Sequence, residues 1–255
     1  MIDCGSLEYA HARLHARHGR RIDEAGWRPI ETMRELAALL ELARGTALRP
    51  WLVDITVDSG AHRIEAVLRG HWRALVAEVV AWMPERWQPA LAWCAVLPDL
   101  APLQHLARGG EPVAWMHDDV ALRDLCAAPA QARVAVLDAG PLAALASAWA
   151  EPHAVGQAWQ AEWHRRLPPS TGDAAETLRQ LERTLLEHRG SFVAATQGQG
   201  WQLRASLHAR LSLLLRRSAL EPAAAFIHVA LSALELERLR AELLRRVLFP
   251  RWKLA

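Results

Sequence analysis

Three histidines, His11, His15 and His18, stand at successive steps of four and three residues. On a helix that spacing gathers them within about 60° of one face, a geometry that metal sites use. No acid or cysteine is poised to finish the shell, and Arg13, Arg17, Arg20 and Arg21 surround the three rings. So much positive charge opposes capture of a cation, and the histidines are expected on a solvated polar face. The other side of the same helix carries Tyr9, Ala12 and Ala16, a strip small enough to let a second helix approach closely.

A second group of chemically able residues is WMHDDVALRDL at 115–125, where His117 sits beside Asp118 and Asp119. One of the two aspartates is expected to cap the helix that follows, since carboxylates favour a helix N-terminus. For nucleophilic catalysis there is no Gly-x-Ser-x-Gly elbow, and no cysteine stands near a histidine in a known local signature. TQGQGWQ at 196–202 is rich in glycine but lacks the strand and the lysine of a phosphate loop. Nothing in the sequence reads as an active site, a cofactor site or a metal site.

The third group lies in AFIHVALSALELERLRAELLRR at 225–246, which is free of formal charge through Leu234 and heavily charged from Glu235 onward. Projected at about 100° per residue, Val229, Ala233, Leu236, Leu243 and Val247 share an arc with Glu237 and Arg240. Those two charges, three apart with the acid first, are expected to pair on or near the packed face. Glu235, Arg238, Glu242, Arg245 and Arg246 project to the other side, the expected solvated surface.

The elements that must position these residues are helical. Of 255 residues, 52% are hydrophobic, mostly Ala and Leu, with only 14 Gly and 14 Pro, and no run alternates with period two. The expectation is an all-α chain with a sizeable core. Thirty basic and 28 acidic residues leave a net charge of +2, too balanced for the basic face of a nucleic-acid binder. Lys253 is the only lysine, and twelve tryptophans offer either core filler or partner anchors. Cys4, Cys94 and Cys126 form no disulfide framework or zinc spacing. The N-terminus has no secretory pattern, and no stretch of about 18 apolar residues could span a bilayer.

Ile64, Leu68, Trp72, Leu75, Val79 and Trp82 line one face of a long helix that Pro84 ends. Other helices are expected at about 6–18, 30–44, 87–97, 100–108, 119–127, 153–167, 173–188, 201–217 and 222–248. LPPSTG at 167–172 and RGGEP at 108–112 are the linker candidates. They divide the chain into an N-terminal helical lobe at 1–112, a reduced or irregular middle lobe at 113–172, and a C-terminal helical lobe at 173–255. Asp99 precedes Leu103 as Glu235 precedes Leu239, a faint internal echo.

Four segments carry a family resemblance. YAHARLHAR at 9–17 resembles the Tyr-Ala-x-Ala-Arg motif of the C/d subunit family of V-type and archaeal A-type rotary ATPases, matching at Tyr9, Ala12, Arg13 and Ala16. LELARGT at 40–46 resembles that family's leucine-rich helix ending before a threonine, here Thr46. LPDLAPLQHLARGG at 97–110 keeps Asp99, Leu103 and Leu106 of another segment, and the closing helix keeps Glu235, Leu236, Leu239 and Arg240. Departures are Pro102 and Arg238 where asparagines are expected, Gln104 for lysine, and Glu237 for arginine.

The resemblance covers roughly 7–110 and 175–248, with the middle lobe shortened. It implies helical bundles in two or three pseudo-repeated lobes, funnel-like, and a non-catalytic subunit that couples the central stalk to the membrane proteolipid ring. Its partners would be central-stalk subunits and that ring, with no nucleic acid and no membrane span of its own. It would sit in the cytoplasm, peripheral on the membrane through those partners. Tyr9, Arg13, Arg17, Asp99, Glu235, Glu237 and Arg240 are then the expected interface or structural residues. Two other functions stay open. One is a cytosolic helical adaptor, which an ordered groove rimmed by Trp115, Trp149, Trp159 and Trp163 would favour; the other is a metal-dependent enzyme built on His11, His15 and His18.

Overall fold

A computed structural model describes residues 4–249 except Gln197, with side chains from Leu7 onward, so the Cys4 side chain and Lys253 lie outside the described residues. The chain is an all-helical bundle, and no strand occurs among the described residues. Its helices are α1 (Cys4–His18), α2 (Glu24–Thr32), α3 (Leu36–Arg44), α4 (Ala61–Trp82), α5 (Gln88–Trp93) and α6 (Leu100–Ala107). They continue with α7 (Arg123–Ala127), α8 (Arg133–Asp138), α9 (Val155–Arg166), α10 (Asp173–Ala194), α11 (Gly200–Arg217) and α12 (Ala223–Leu248). Short stretches of 3₁₀ helix fill much of the intervening chain.

The long helices follow the expected periodicity. In α4 the side chains of Ile64, Leu68, Trp72, Val79 and Trp82 are buried, and Met83 turns extended because the following Pro84 disfavours the α region. One expected helix is in fact two. Instead of 30–44, α2 begins early, where Asp23 accepts from Gly26 N at 2.9 Å, and the backbone then breaks at 33–35 before α3. Both linker candidates are irregular and contain glycines in the left-handed region, Gly109 at φ 80° and Gly172 at φ 69°. Gly110 is fixed for another reason: a Cβ there would run into the His105 ring, which bonds the Glu111 carbonyl.

One apolar core runs from Leu7 on α1 through Leu122 and Leu145 in the middle segment to Leu243 on α12. At its centre α12 packs against α1, α3, α4, α10 and α11. The uncharged first half of α12 is accordingly buried without a break from Ala223 to Val229. On α1 the buried residues are Leu7, Ala10 and Leu14, while Tyr9, Ala12 and Ala16 face solvent. The small-residue strip therefore receives no helix, because the larger side chains of Leu7 and Leu14 bury more apolar area on the other face.

On α12 Val229, Leu236 and Leu243 of the expected arc are buried, but the charges do not follow it. Glu237 and Arg240 were placed inward as a pair; their side chains are instead 61% and 48% exposed and bind elsewhere. Glu242 and Arg246, placed on the solvated face, are buried, and Glu235 nearly so. The inner stripe steps through Ser232, Glu235, Leu239, Glu242 and Arg246. Charges enter it because each finds an opposite charge or a backbone carbonyl, which offsets desolvation in a way that apolar periodicity does not register.

Candidate functional site

Glu65, Arg69 and Arg73 are spaced i, i+4, i+8 on α4 and so form one row. Arg69 Nη1 and Arg73 Nη2 both donate to Asp99 Oδ1, at 2.8 and 2.9 Å. Arg73 also donates to both oxygens of Asp119 at 2.9 Å, and Arg240 Nε reaches Glu65 Oε1 at 2.7 Å. Glu65 Oε2 stands 4.0 Å from Arg69 Nε, so three acids and three arginines form one electrically balanced row of ion pairs, with the Trp115 ring centroid 4.1 Å from the Arg69 guanidinium carbon. Burial pushes the Asp99 carboxyl above its usual range even though Arg73 and Arg69 pull the other way, and burial lowers Arg69. Burial opposes the charge on Arg73 as well, but its bonds to Asp119 and Asp99 hold it above the usual guanidinium range.

Asp118 or Asp119 was expected to cap the next helix, and of the two Asp119 is the buried one. Its Oδ1 accepts from Ala121 N at 2.9 Å, while α7 starts at Arg123 without a side-chain cap. The carboxylate is oriented by Arg73, which lies 46 residues away in sequence and so was invisible to local reading. His117 and Asp118 are exposed.

A second polar centre joins the ends of the chain. Arg21, in the α1–α2 connection, donates to Glu235 Oε2 at 3.0 Å, Ser232 Oγ at 2.5 Å and the Leu231 carbonyl at 3.1 Å. Burial raises Glu235 and lowers Arg21. Beside this pair, His15 and His18 of α1 approach His228 of α12, and His208 of α11 approaches His18. Neither ring nitrogen of His228 has a partner among the described residues, nor do His15 Nε2 and His18 Nδ1. Burial, then Arg21 and Arg17, hold His228 well below the usual imidazole range, and burial first of all lowers His11, His18 and His208. The histidine face of α1 is therefore partly buried rather than solvated. Among the described residues no group of three or more His, Cys, Asp or Glu is arranged to hold a metal.

A third centre closes the break after α2. Arg246 donates to the carbonyls of Ile30, Glu31 and Met33 at 2.9, 3.2 and 2.5 Å, and to Glu242 Oε2 at 2.6 Å. A buried guanidinium thus satisfies carbonyls that the end of α2 leaves without helical partners.

The residues singled out by the resemblance are spread over these centres and the nearby surface. Tyr9 and Arg13 bind each other at 2.7 Å on exposed α1, and Arg17 pairs with Glu78 at 2.6 Å over the Trp82 ring. Asp99 and Arg240 belong to the α4 chain, Glu235 to Arg21, and Glu237 lies 3.4 Å from Arg204. Glu237 and Arg240 do not pair. Sequence reading missed Arg69, Arg73, Arg21 and Arg246; the i, i+4, i+8 row on α4 was the one readable signal among them.

Two open concavities stand out among the described residues. The larger, about 980 Å³, lies between α2, α11 and α12 and is lined by Trp27, Trp201, Arg204, His208, Arg238 and Glu31, among others. Rings and cations alternate along its lip: Trp27 to Arg238 at 4.6 Å, Arg238 to Trp201 at 5.9 Å, Trp201 to Arg204 at 5.2 Å, Arg204 to Phe192 at 4.8 Å. Glu24 and Glu31 bind Arg238, and that hydrogen bond holds the Glu24 carboxyl below its usual range. Half-exposed Trp201 and paired arginines are the residue types that anchor protein partners.

The smaller concavity, about 510 Å³, is an apolar groove framed by the 3₁₀ segment Cys94–Asp99 and by α6, α9, α10 and α12. Trp159 and Trp163 stack there at 6.4 Å, and Trp93 and Trp159 exchange indole-to-carbonyl hydrogen bonds at 3.0 and 3.2 Å. Trp115 and Trp149 do not line it. Compared with known proteins, the chain matches no family model, no curated protein and no solved structure.

Proposed function

We propose that the chain is a non-catalytic coupling subunit of the V/A-type rotary ATPase class, linking central-stalk subunits to the membrane proteolipid ring. The observation that carries this reading is the ion chain on α4. Asp99 and Arg240 come from two separate segments of the resemblance, and Glu65, Arg69 and Arg73 join them into one framework. A coupling part must transmit force without internal slip, and buried charges with fixed partners set helix register. The Trp27–Trp201 cleft supplies a surface of the right chemistry for a helical stalk partner. No helix among the described residues is long and apolar enough to cross a membrane, so attachment at the cytoplasmic face would run through partner subunits.

Tagged protein is to be recovered from gently solubilised native membranes and its companions identified by mass spectrometry. Proteolipid-ring and stalk subunits are the expected companions. Their yield should fall in an Arg13→Ala/Arg240→Ala variant, whose two side chains are accessible and whose helicity should be unchanged. Recovery of a soluble partner alone, or of none, overturns the reading. A cytosolic helical adaptor is the second reading, with two of its four expected rim indoles, Trp159 and Trp163, in the groove; a soluble companion lost on Trp159→Ala would select it.

A further inference from the structure

The apolar groove is separate from the Trp27–Trp201 cleft, and its chemistry is more specific. Its volume of about 510 Å³ is in the range of small-molecule sites. Leu97, Leu100, Leu181, Phe226 and Val229 wall it beside the stacked indoles, and Leu185 and Leu186 stand at its edge with 37% and 47% of their surface exposed. An apolar surface left open this way loses the stabilisation that burial would give it.

The polar groups of the rim decide what kind of molecule would cover it. Glu182 is already engaged, since Gln160 donates to it and His164 Nε2 stands 2.9 Å from its carboxylate. Arg189, two turns along the same face of α10, has no hydrogen bond or ion pair among the described residues. The residue is exposed. It reaches from α10 toward α9, where a Cβ on Gly156 would stand 3.9 Å from Nη1. On the α6 side of the groove, the Gln104 amide is also without a partner. One uncompensated cation and one free amide thus border an aliphatic and aromatic trough.

We propose that this groove binds a long-chain monocarboxylate, with the hydrocarbon tail along Leu97, Leu181, Leu185 and the two indoles and the carboxylate on Arg189. A neutral lipid would leave the guanidinium unused, and a polyanionic headgroup calls for several cations where the groove has one. A guanidinium meets a carboxylate with two parallel N–H donors, so the head would be fixed in position as well as held.

Titration calorimetry of the full chain with dodecanoate, with dodecanol as the uncharged match and anionic phospholipid vesicles as a separate arm, tests this. One saturable site is expected, with the carboxylate bound about tenfold more tightly than the alcohol. Arg189→Gln should erase that difference while alcohol binding persists. Gly156→Leu, which adds a side chain to the groove lining, should weaken both ligands. Absence of a saturable site, equal affinity for acid and alcohol, an undiminished preference in Arg189→Gln, or binding to vesicles alone overturns the proposal. Should Gly156→Leu fail to fold by circular dichroism, the Arg189→Gln comparison decides the matter without it.

Discussion

Arg21 meets Glu235 at 3.0 Å across more than two hundred residues of sequence, with only about a tenth of either side chain exposed. Removing one partner strands the other charge out of water. Arg21→Ala should therefore destabilise the fold by about 3 kcal/mol. Replacing both partners with apolar residues of similar volume, as in Arg21→Met/Glu235→Leu, should restore most of that loss. Urea unfolding of the two single variants and the double variant measures it, and additive losses would mean the two groups do not act as a pair.

The α4 chain allows a graded comparison. Asp99 is buried between two arginines, so Asp99→Ala should cost about 3 kcal/mol by leaving Arg69 and Arg73 undercompensated. Arg240 binds the outer end of the same chain with its side chain 48% exposed, and Arg240→Ala should cost less than about 1 kcal/mol. Equal losses in denaturation midpoints would show that burial does not rank these charges.

The histidine centre sets a pH dependence with a definite sign. His11, His18, His208 and His228 are all held below the ordinary imidazole value of 6.5. The unfolded chain therefore takes up protons near 6.5 that the folded chain binds only at lower pH. Stability is complete above 6.5 and falls as pH drops from there toward the folded values. His228→Phe keeps an aromatic ring at the buried position and should flatten the loss seen below about pH 6.5. An unchanged slope in unfolding free energy would remove His228 from the effect.

Burial pushes the Cys94 thiol up to about 12. In the native protein Cys94 should resist alkylation at neutral pH and react only when the core opens. Peptide mapping after timed iodoacetamide treatment, with and without urea, gives the answer; rapid native labelling of Cys94 would contradict its burial.

Most of the helical framework was legible in the sequence because apolar residues at three- and four-residue steps dominate it. Ile64 to Trp82 and Ala223 to Leu248 are the clearest cases. The break between α2 and α3 was not legible, since it depends on Arg246, more than two hundred residues further on. The inner face of α12 was misread for a related reason. Periodicity ranks Glu242 and Arg246 as solvated, and their burial follows from a carbonyl cluster supplied by another part of the chain. Of the expected interface or structural residues, Asp99 and Glu235 lie in buried centres, and Arg69, Arg73 and Arg21, which hold them, were not among that set.

The clamp of Arg246 on the end of α2 bears on how the protein is made. A ribosome releases α2 and α3 long before α12, so the carbonyls of Ile30 and Met33 must wait for a guanidinium not yet synthesised. The early helices can form local turns during that interval, but their junction stays open to water and to chaperones. Completion of the fold is then a late event in translation, and a slow codon or stall ahead of Ala223 would lengthen the exposure without changing the finished molecule.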